Sequence, residues 1–198
     1  MESLSLAFSS GWSSGVNAYL VVLVLGIADR LGDLPEVPDA LGRWEVLGAA
    51  AFMYVMEFVA DKIPFVDSTW DAISTAIRPT VGAVLGVLVA GDADTLDQAV
   101  SGTVGGGTAL ASHLVKAGTR LAVNTSPEPV TNIGLSVVED VVVLGLVWFA
   151  IEHPVAAAAI AAVLLAIGIV VLYLAAKLIR RGWRRWQARR TRSAPTSA

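Results

Sequence analysis

The chain has 198 residues, of which 55% are hydrophobic and 16% charged, with a formal net charge of −3 and no cysteine. A soluble domain needs roughly a quarter of its residues charged, and the apolar residues here come in long uncharged blocks, which excludes an ordinary soluble enzyme. The lack of cysteine excludes disulfides, thiolate metal sites and cysteine nucleophiles.

Met1-Glu2-Ser3-Leu4 lacks a basic leader region, and no small-residue cleavage site follows, so a cleaved signal peptide is not expected. Apolar runs between turn signals predict six transmembrane spans, at 15–27, 44–60, 79–90, 98–117, 133–151 and 154–179. The first is extended backwards to about Ser10, and the third is short for a full crossing. Residues 155–176 carry no charge at all, more than the ~20 residues that a bilayer requires. Spans five and six are joined by Glu152-His153-Pro154, a tight hairpin with proline at the first helical position, where its missing N–H costs nothing.

Charge sets the expected orientation. The segment from Lys177 to Arg192 holds eight of the fourteen Lys and Arg residues and no acid, which places the C-terminus in the cytoplasm. Six crossings then put the N-terminus inside too. Lys62, Arg78, Lys116 and Arg120 fall on inner connections, and only Arg30 and Arg43 run against the rule. Residues 1–180 read as one transmembrane domain and 181–198 as a basic, disordered cytoplasmic tail. Between spans two and three, Asp67 or Ser68 is a candidate helix cap and Pro79 a helix end. Trp70, Ile73 and Ile77 share one face, so 67–78 reads as a short interfacial or re-entrant helix.

Ser10-Gly11-x-x-x-Gly15-x-x-Ala18 at the first span is matched by Ser101-Gly102-x-x-x-Gly106-x-x-Ala109 in the fourth. Two readings stay open. One is a 3+3 inverted repeat with glycine-interrupted helices at corresponding positions; the other is helix packing through small residues. Both place Gly11, Gly15, Gly102 and Gly106 at helix contacts.

Ionisable residues inside spans are costly and are candidates for function. Glu57 and Asp61 sit four apart in span two. His113, Lys116 and Arg120 form a stripe at the end of span four. Glu139 and Asp140 lie inside span five, and Asn17 in span one. Glu57, His113 and Glu139 are each five to seven residues from the inner end, about 8–10 Å at helical rise, with Lys62 and Arg78 nearby. A mixed acid–base cluster in the cytoplasmic half is the expectation, since buried charges must pair. It is read in three ways: a network that fixes helix register, a cavity lining that carries protons or ions, or a site for an anionic lipid group. No metal or cofactor is expected, since one His with scattered carboxylates has no diagnostic spacing. His153 is a loop residue, and 124–126 matches a glycosylation sequon by chance. No hydrolase, zinc-protease or P-loop pattern occurs. The Arg-rich tail reads as a topology signal contacting anionic lipid, and no nucleic-acid partner is expected.

These residues resemble a bacterial membrane family of unknown function, DUF4126. The likeness is carried by Gly15-Val16-Asn17-Ala18-Tyr19-Leu20, Glu57-Phe58-Val59-Ala60-Asp61-Lys62-Ile63-Pro64, Asp67-Ser68-Thr69-Trp70-Asp71 and Ile77-Arg78-Pro79. It continues in Ala111-Ser112-His113, Lys116-Ala117-Gly118-Thr119-Arg120, Asn124-Thr125-Ser126-Pro127-Glu128-Pro129, Asn132 and Glu139-Asp140. The resemblance implies a multi-pass inner-membrane protein and supplies no activity. The expectation is a small transporter or channel-like protein rather than an enzyme, with ten candidate ligand-binding residues: Asn17, Glu57, Asp61, Lys62, Arg78, His113, Lys116, Arg120, Glu139 and Asp140. The alternative is a structural or lipid-binding membrane protein whose buried charges only pair. Membrane lipids are expected partners, with a small molecule, ion or anionic lipid as the ligand.

Overall fold

The computed structural model describes residues 1–32, 34, 37–63, 65–123 and 129–192; the side chains of 129–132, 182 and 184–192 lie outside the description. The sequon at 124–126 and the tail arginines from Arg184 onward therefore fall outside it, as do Asp33 and Glu36. The regular structure among the described residues is six α-helices: α1 (Glu2–Gly32), α2 (Trp44–Ala60), α3 (Val66–Val89), α4 (Thr95–Val123), α5 (Pro129–Glu152) and α6 (Pro154–Arg192). Four of these are long and apolar enough to cross a membrane: α1, α3, the 133–152 part of α5 and the 154–181 part of α6.

Polarity is inverted relative to a soluble bundle. Arg78, Arg120, Glu57 and His113 are fully buried, while Phe52, Val138, Val141 and Val163 stand exposed on the outer surface. Water would penalise that arrangement and lipid would not. The helix ends follow local rules. Asp94 accepts a hydrogen bond from the Asp97 amide at 2.9 Å and so caps α4. Gly91, at φ +56°, takes the left-handed position that ends α3.

The helix α1 is not a single rod. Asn17, at φ −151° and ψ 94°, leaves the helical region in its middle and divides it into arms at 2–16 and 18–32. The first arm runs alongside α4 in the same direction: a Cβ on Gly11 would strike Gly105 and Thr108, and one on Gly15 would strike Ala109 and Ser112. The second arm runs back alongside α5, from Asn17 beside Asp140 to Leu31 and Gly32 beside Trp148 and Ile151. Met1 and Glu2 line a depression with Ile151 and Glu152, and Leu31 and Gly32 line another with the same two residues. Both ends of α1 thus lie at one end of the bundle, where α3 hands over to α4 and α5 to α6. Each arm is about 22 Å long at 1.5 Å per residue, short of the ~30 Å apolar thickness of a bilayer. The other helices surround this hairpin, and its apolar side chains, from Leu6 and Trp12 to Val24 and Leu25, form the core with Leu85, Val143 and Val147.

This changes several expectations. Span one does not run from one end of the bundle to the other: its start lies at the same end as Glu152 rather than with the C-terminal end of α6. The two Ser-Gly-x-x-x-Gly segments run side by side in the same sense, whereas an inverted repeat requires opposite senses, and α4 has no break matching Asn17. The small residues serve packing instead. Gly102 and Gly106 of α4 face Val87, Ala83 and the Pro79 carbonyl of α3.

Residues 67–78 are not a separate interfacial helix either. They are the first turns of α3, which begins at Val66 and continues through Pro79. Neither Asp67 nor Ser68 is its cap; that position is Phe65, at the left-handed φ of 71°. Proline removes one helical hydrogen bond, but the buried stripe Asp67, Asp71, Ser74, Arg78, Gly82, Leu85 and Gly86 lies on one face across it. Packing of that face against α1 and α4 holds the helix together. The helix α6 also runs on through 181–192 of the basic tail.

Candidate functional site

The break in α1 creates the site. Asn17 caps the second arm, its side-chain oxygen accepting from the Leu20 amide at 3.0 Å. The first arm ends just before it, so its last carbonyls lack helical partners and carry the negative end of that helix dipole. Cations from other helices meet them. Lys116 Nζ of α4 donates to the Val16 carbonyl at 2.9 Å, and Arg78 Nη1 of α3 to the Gly15 carbonyl at 3.3 Å. Ser112 donates to the Trp12 carbonyl at 2.7 Å.

Carboxylates gather round these cations. Arg78 Nη2 pairs with Glu57 Oε1 at 3.0 Å, and its Nη1 lies 3.1 Å from Asp71. Lys116 pairs with Asp61 at 2.8 Å and lies within 3.6 Å of Glu57 and Glu139. Arg120 pairs with Glu139 at 2.6 Å, with Asp61 at 3.2 Å and with Asp67 at 3.7 Å, and donates to the Asp61 carbonyl at 2.8 Å. Removing one member of such a buried pair strands the other charge, at a typical cost of ~3–5 kcal/mol.

His113 holds a fixed place in this network. Arg78 Nη1 lies 2.8 Å from His113 Nδ1, and a guanidinium only donates, so Nδ1 accepts and the ring proton sits on Nε2. That nitrogen lies 2.9 Å from Thr75 Oγ1, which donates to the Asp71 carbonyl at 2.9 Å. His113 is a neutral spacer here, and a proton shuttle through it would need the nitrogen that Arg78 occupies.

Nine of the ten candidate residues come together: Asn17, Glu57, Asp61, Arg78, His113, Lys116, Arg120, Glu139 and Asp140. Lys62 stands at the edge, donating to the Phe58 carbonyl at 2.9 Å and lying 3.4 Å from Ser136 Oγ. The candidate set omits Asp67 and Asp71, which share the buried stripe of α3 with Arg78 at helical spacing; that polar stripe is the signal that locates them. The backbone carbonyls have no sequence signal except Asn17 inside an apolar run.

A cavity of about 190 Å³ reaches the cluster between α1, α4, α5 and α6. Its wall is mostly apolar, with Trp12, Val16, Val138, Val142 and Leu164, and its polar lining is Ser112, Lys116, Thr119 and Glu139. Val138 is exposed on the outer surface. Glu139, whose side chain is 16% exposed against 3% or less for Glu57, Asp61 and Asp67, marks an accessible edge of the cluster together with the half-buried Asp140.

A family model described as a domain of unknown function, DUF4126, matches residues 4–173. The chain belongs to this family. Comparison with curated proteins and with solved structures gives no match. The DUF4126 match contains the folded-back α1 from residue 4 onward and every member of the cluster, and stops short of the arginine-rich end of α6.

Proposed function

We propose that this chain is a small multi-pass membrane transport protein whose substrate site is the charged cluster at the tip of the folded-back α1. The observation that carries this reading is the break at Asn17, where carbonyls released from the helix accept hydrogen bonds from buried cations. Non-helical backbone at membrane depth is tolerated where protein or a water-lined space surrounds it, and half-helices ending at a buried polar site are a recurrent device of transporters. The cavity that Lys116 and Glu139 help to line supplies space beside the cluster.

In this reading five helices, α2 to α6, cross the membrane and α1 enters and leaves on one face. The basic end of α6 places the C-terminus inside by the positive-inside rule, and the N-terminus then lies outside, with the α3–α4 and α5–α6 turns. Arg30 and Arg43 also fall outside. Arg30 donates to the Gly42 carbonyl and covers the Trp44 ring, and Arg43 lies 3.6 Å from Glu45. A bacterial inner membrane is the setting in which this orientation applies.

A structural role is the second reading, favoured by the pairing of Arg78, Lys116 and Arg120 with at least two acids each. The two readings separate in reconstituted liposomes loaded with pH- and cation-reporting dyes. Transport predicts flux of protons, alkali cations or small amines above protein-free liposomes, lowered by Glu139→Gln. Correctly inserted wild-type protein that passes none of these probes would overturn the transport reading.

A further inference from the structure

The charges at the tip of α1 do not balance. Arg78, Lys116, Arg120 and the peripheral Lys62 face six carboxyl groups, those of Glu57, Asp61, Asp67, Asp71, Glu139 and Asp140. With His113 neutral and every carboxyl ionised, two negative charges would stand without a counterpart among the described residues, in a setting where uncompensated charge is expensive.

The geometry separates the acids. Glu57, Asp61 and Glu139 each contact two cations. Asp140 makes no ion pair within 4 Å among the described residues; its Oδ1 accepts one hydrogen bond, from Asn17 Nδ2 at 2.9 Å. Asp71 is 2% exposed, and neither of its carboxyl oxygens has a hydrogen-bond partner. Its single cation, Arg78, is shared with Glu57, His113 and the Gly15 carbonyl. Acids outnumber cations around Asp140; around Asp71 they do not, and its case rests on burial and on two carboxyl oxygens that no hydrogen-bond donor reaches. Around Asp140 stand Glu57, Asp61 and Tyr54 from α2, Lys62 beyond it, Lys116 from α4 and Glu139 beside it on α5. Around Asp71 stand Asp61 from α2, His113, Lys116 and Arg120 from α4, and Arg78 on its own helix. Among the described residues no three His, Asp or Glu side chains are placed to hold a metal ion.

We infer that Asp140 and Asp71 each hold a proton as a neutral carboxylic acid in this conformation, and that the proton is the ion coupled to transport. Each uptake is the simple association of one aqueous proton with one carboxylate, which cancels the two surplus charges. Asp140 is the exchangeable member, because it is partly exposed and hydrogen-bonded to the residue at which α1 breaks. Losing its proton would place a bare carboxylate against the tip of the hairpin, so protonation and the position of α1 are linked. The coupling role rests on the transport reading; the protonation itself does not.

Infrared spectroscopy of the full chain in lipid vesicles, titrated from neutral to strongly alkaline pH, tests this without any flux measurement. Wild type should show buried carboxylic-acid carbonyl absorption at neutral pH with two components. Asp140→Asn should remove one and Asp71→Asn the other. Unfolding in detergent supplies an independent readout, since an amide copies a neutral acid: both variants should unfold near the wild-type midpoint, whereas Asp61→Asn, stripped of a paired charge, should lose stability. Absence of the carboxylic-acid bands in folded wild type overturns the inference. So does a requirement for sodium or potassium at fixed pH to reach full stability, which would assign the surplus charge to an alkali cation. Bands without proton flux would instead leave the protonation standing and overturn the coupling of the proton to transport.

Discussion

Lys116 Nζ lies 2.9 Å from the Val16 carbonyl oxygen and 2.8 Å from Asp61 Oδ2, so one side chain both closes the first arm of α1 and ties it to α2. A cation at the C-terminal end of a helix is favourable in itself, and here it is also buried. Lys116→Met keeps the stem and removes the charge, leaving a carbonyl and a carboxylate without their donor. The expected loss is about 3–5 kcal/mol, read as a lowered unfolding midpoint in detergent. Lys177→Met, at an exposed position on α6, should stay within about 0.5 kcal/mol of wild type. Equal effects of the two substitutions would show that Lys116 does not hold the hairpin.

The folding back of α1 makes a topological prediction that the cysteine-free sequence renders easy to test. Cysteines placed singly at Ser3, Leu31 and Asp92 should react with a membrane-impermeant maleimide from the same side of a sealed vesicle. A cysteine at Arg181 should react from the opposite side. If α1 crossed the bilayer, Ser3 and Leu31 would label from opposite sides.

Glycines on the two faces of the helices should respond with opposite signs. A side chain on Gly15 meets the Ser112 hydroxyl and the Ala109 backbone, and nothing lies within 4 Å of a Cβ on Gly107. Gly15→Val therefore has to separate α1 from α4 and should cost about 1–3 kcal/mol or prevent folding. Gly107→Ala gains helix propensity with no clash, worth up to ~1 kcal/mol. Unfolding midpoints of the two variants in one detergent provide the comparison.

Much of the cluster was legible because its members are charged residues interrupting apolar runs, at depths that the helical rise makes comparable. Glu57, Asp61, Lys116, Arg120, Glu139 and Arg78 meet for that reason. The path of α1 was not legible. Between Glu2 and Asp29 its residues are apolar, small or uncharged, and hydropathy reads length, not direction, so a hairpin of two short arms looks like one crossing. The decisive residue is Asn17, whose side chain caps the second arm and thereby makes a break affordable in a buried segment. The helix α3 misled for the opposite reason. Pro79 is a strong local stop, and only the polar stripe from Asp67 to Arg78, buried against α1, α2 and α4, reveals that packing carries the helix through it. Reading Trp70, Ile73 and Ile77 as a membrane-facing surface was compatible with either outcome, because in lipid the apolar face of a helix points outward.

Asn17 is accordingly the residue on which both the fold of α1 and the site depend, and its two hydrogen bonds separate experimentally. Its oxygen caps the Leu20 amide and its nitrogen donates to Asp140. Asn17→Ala removes both, leaving the amide of Leu20 unsatisfied in the core, and should cost about 1–2 kcal/mol from the cap alone. Asn17→Ser keeps a capping oxygen but is too short to carry the amide donor, so most of the stability should return while the contact to Asp140 stays broken. Serine variants that unfold like wild type yet show an altered Asp140 carbonyl band would assign the cap to folding and the amide to the site. If serine is as damaging as alanine, capping is not what allows α1 to turn back.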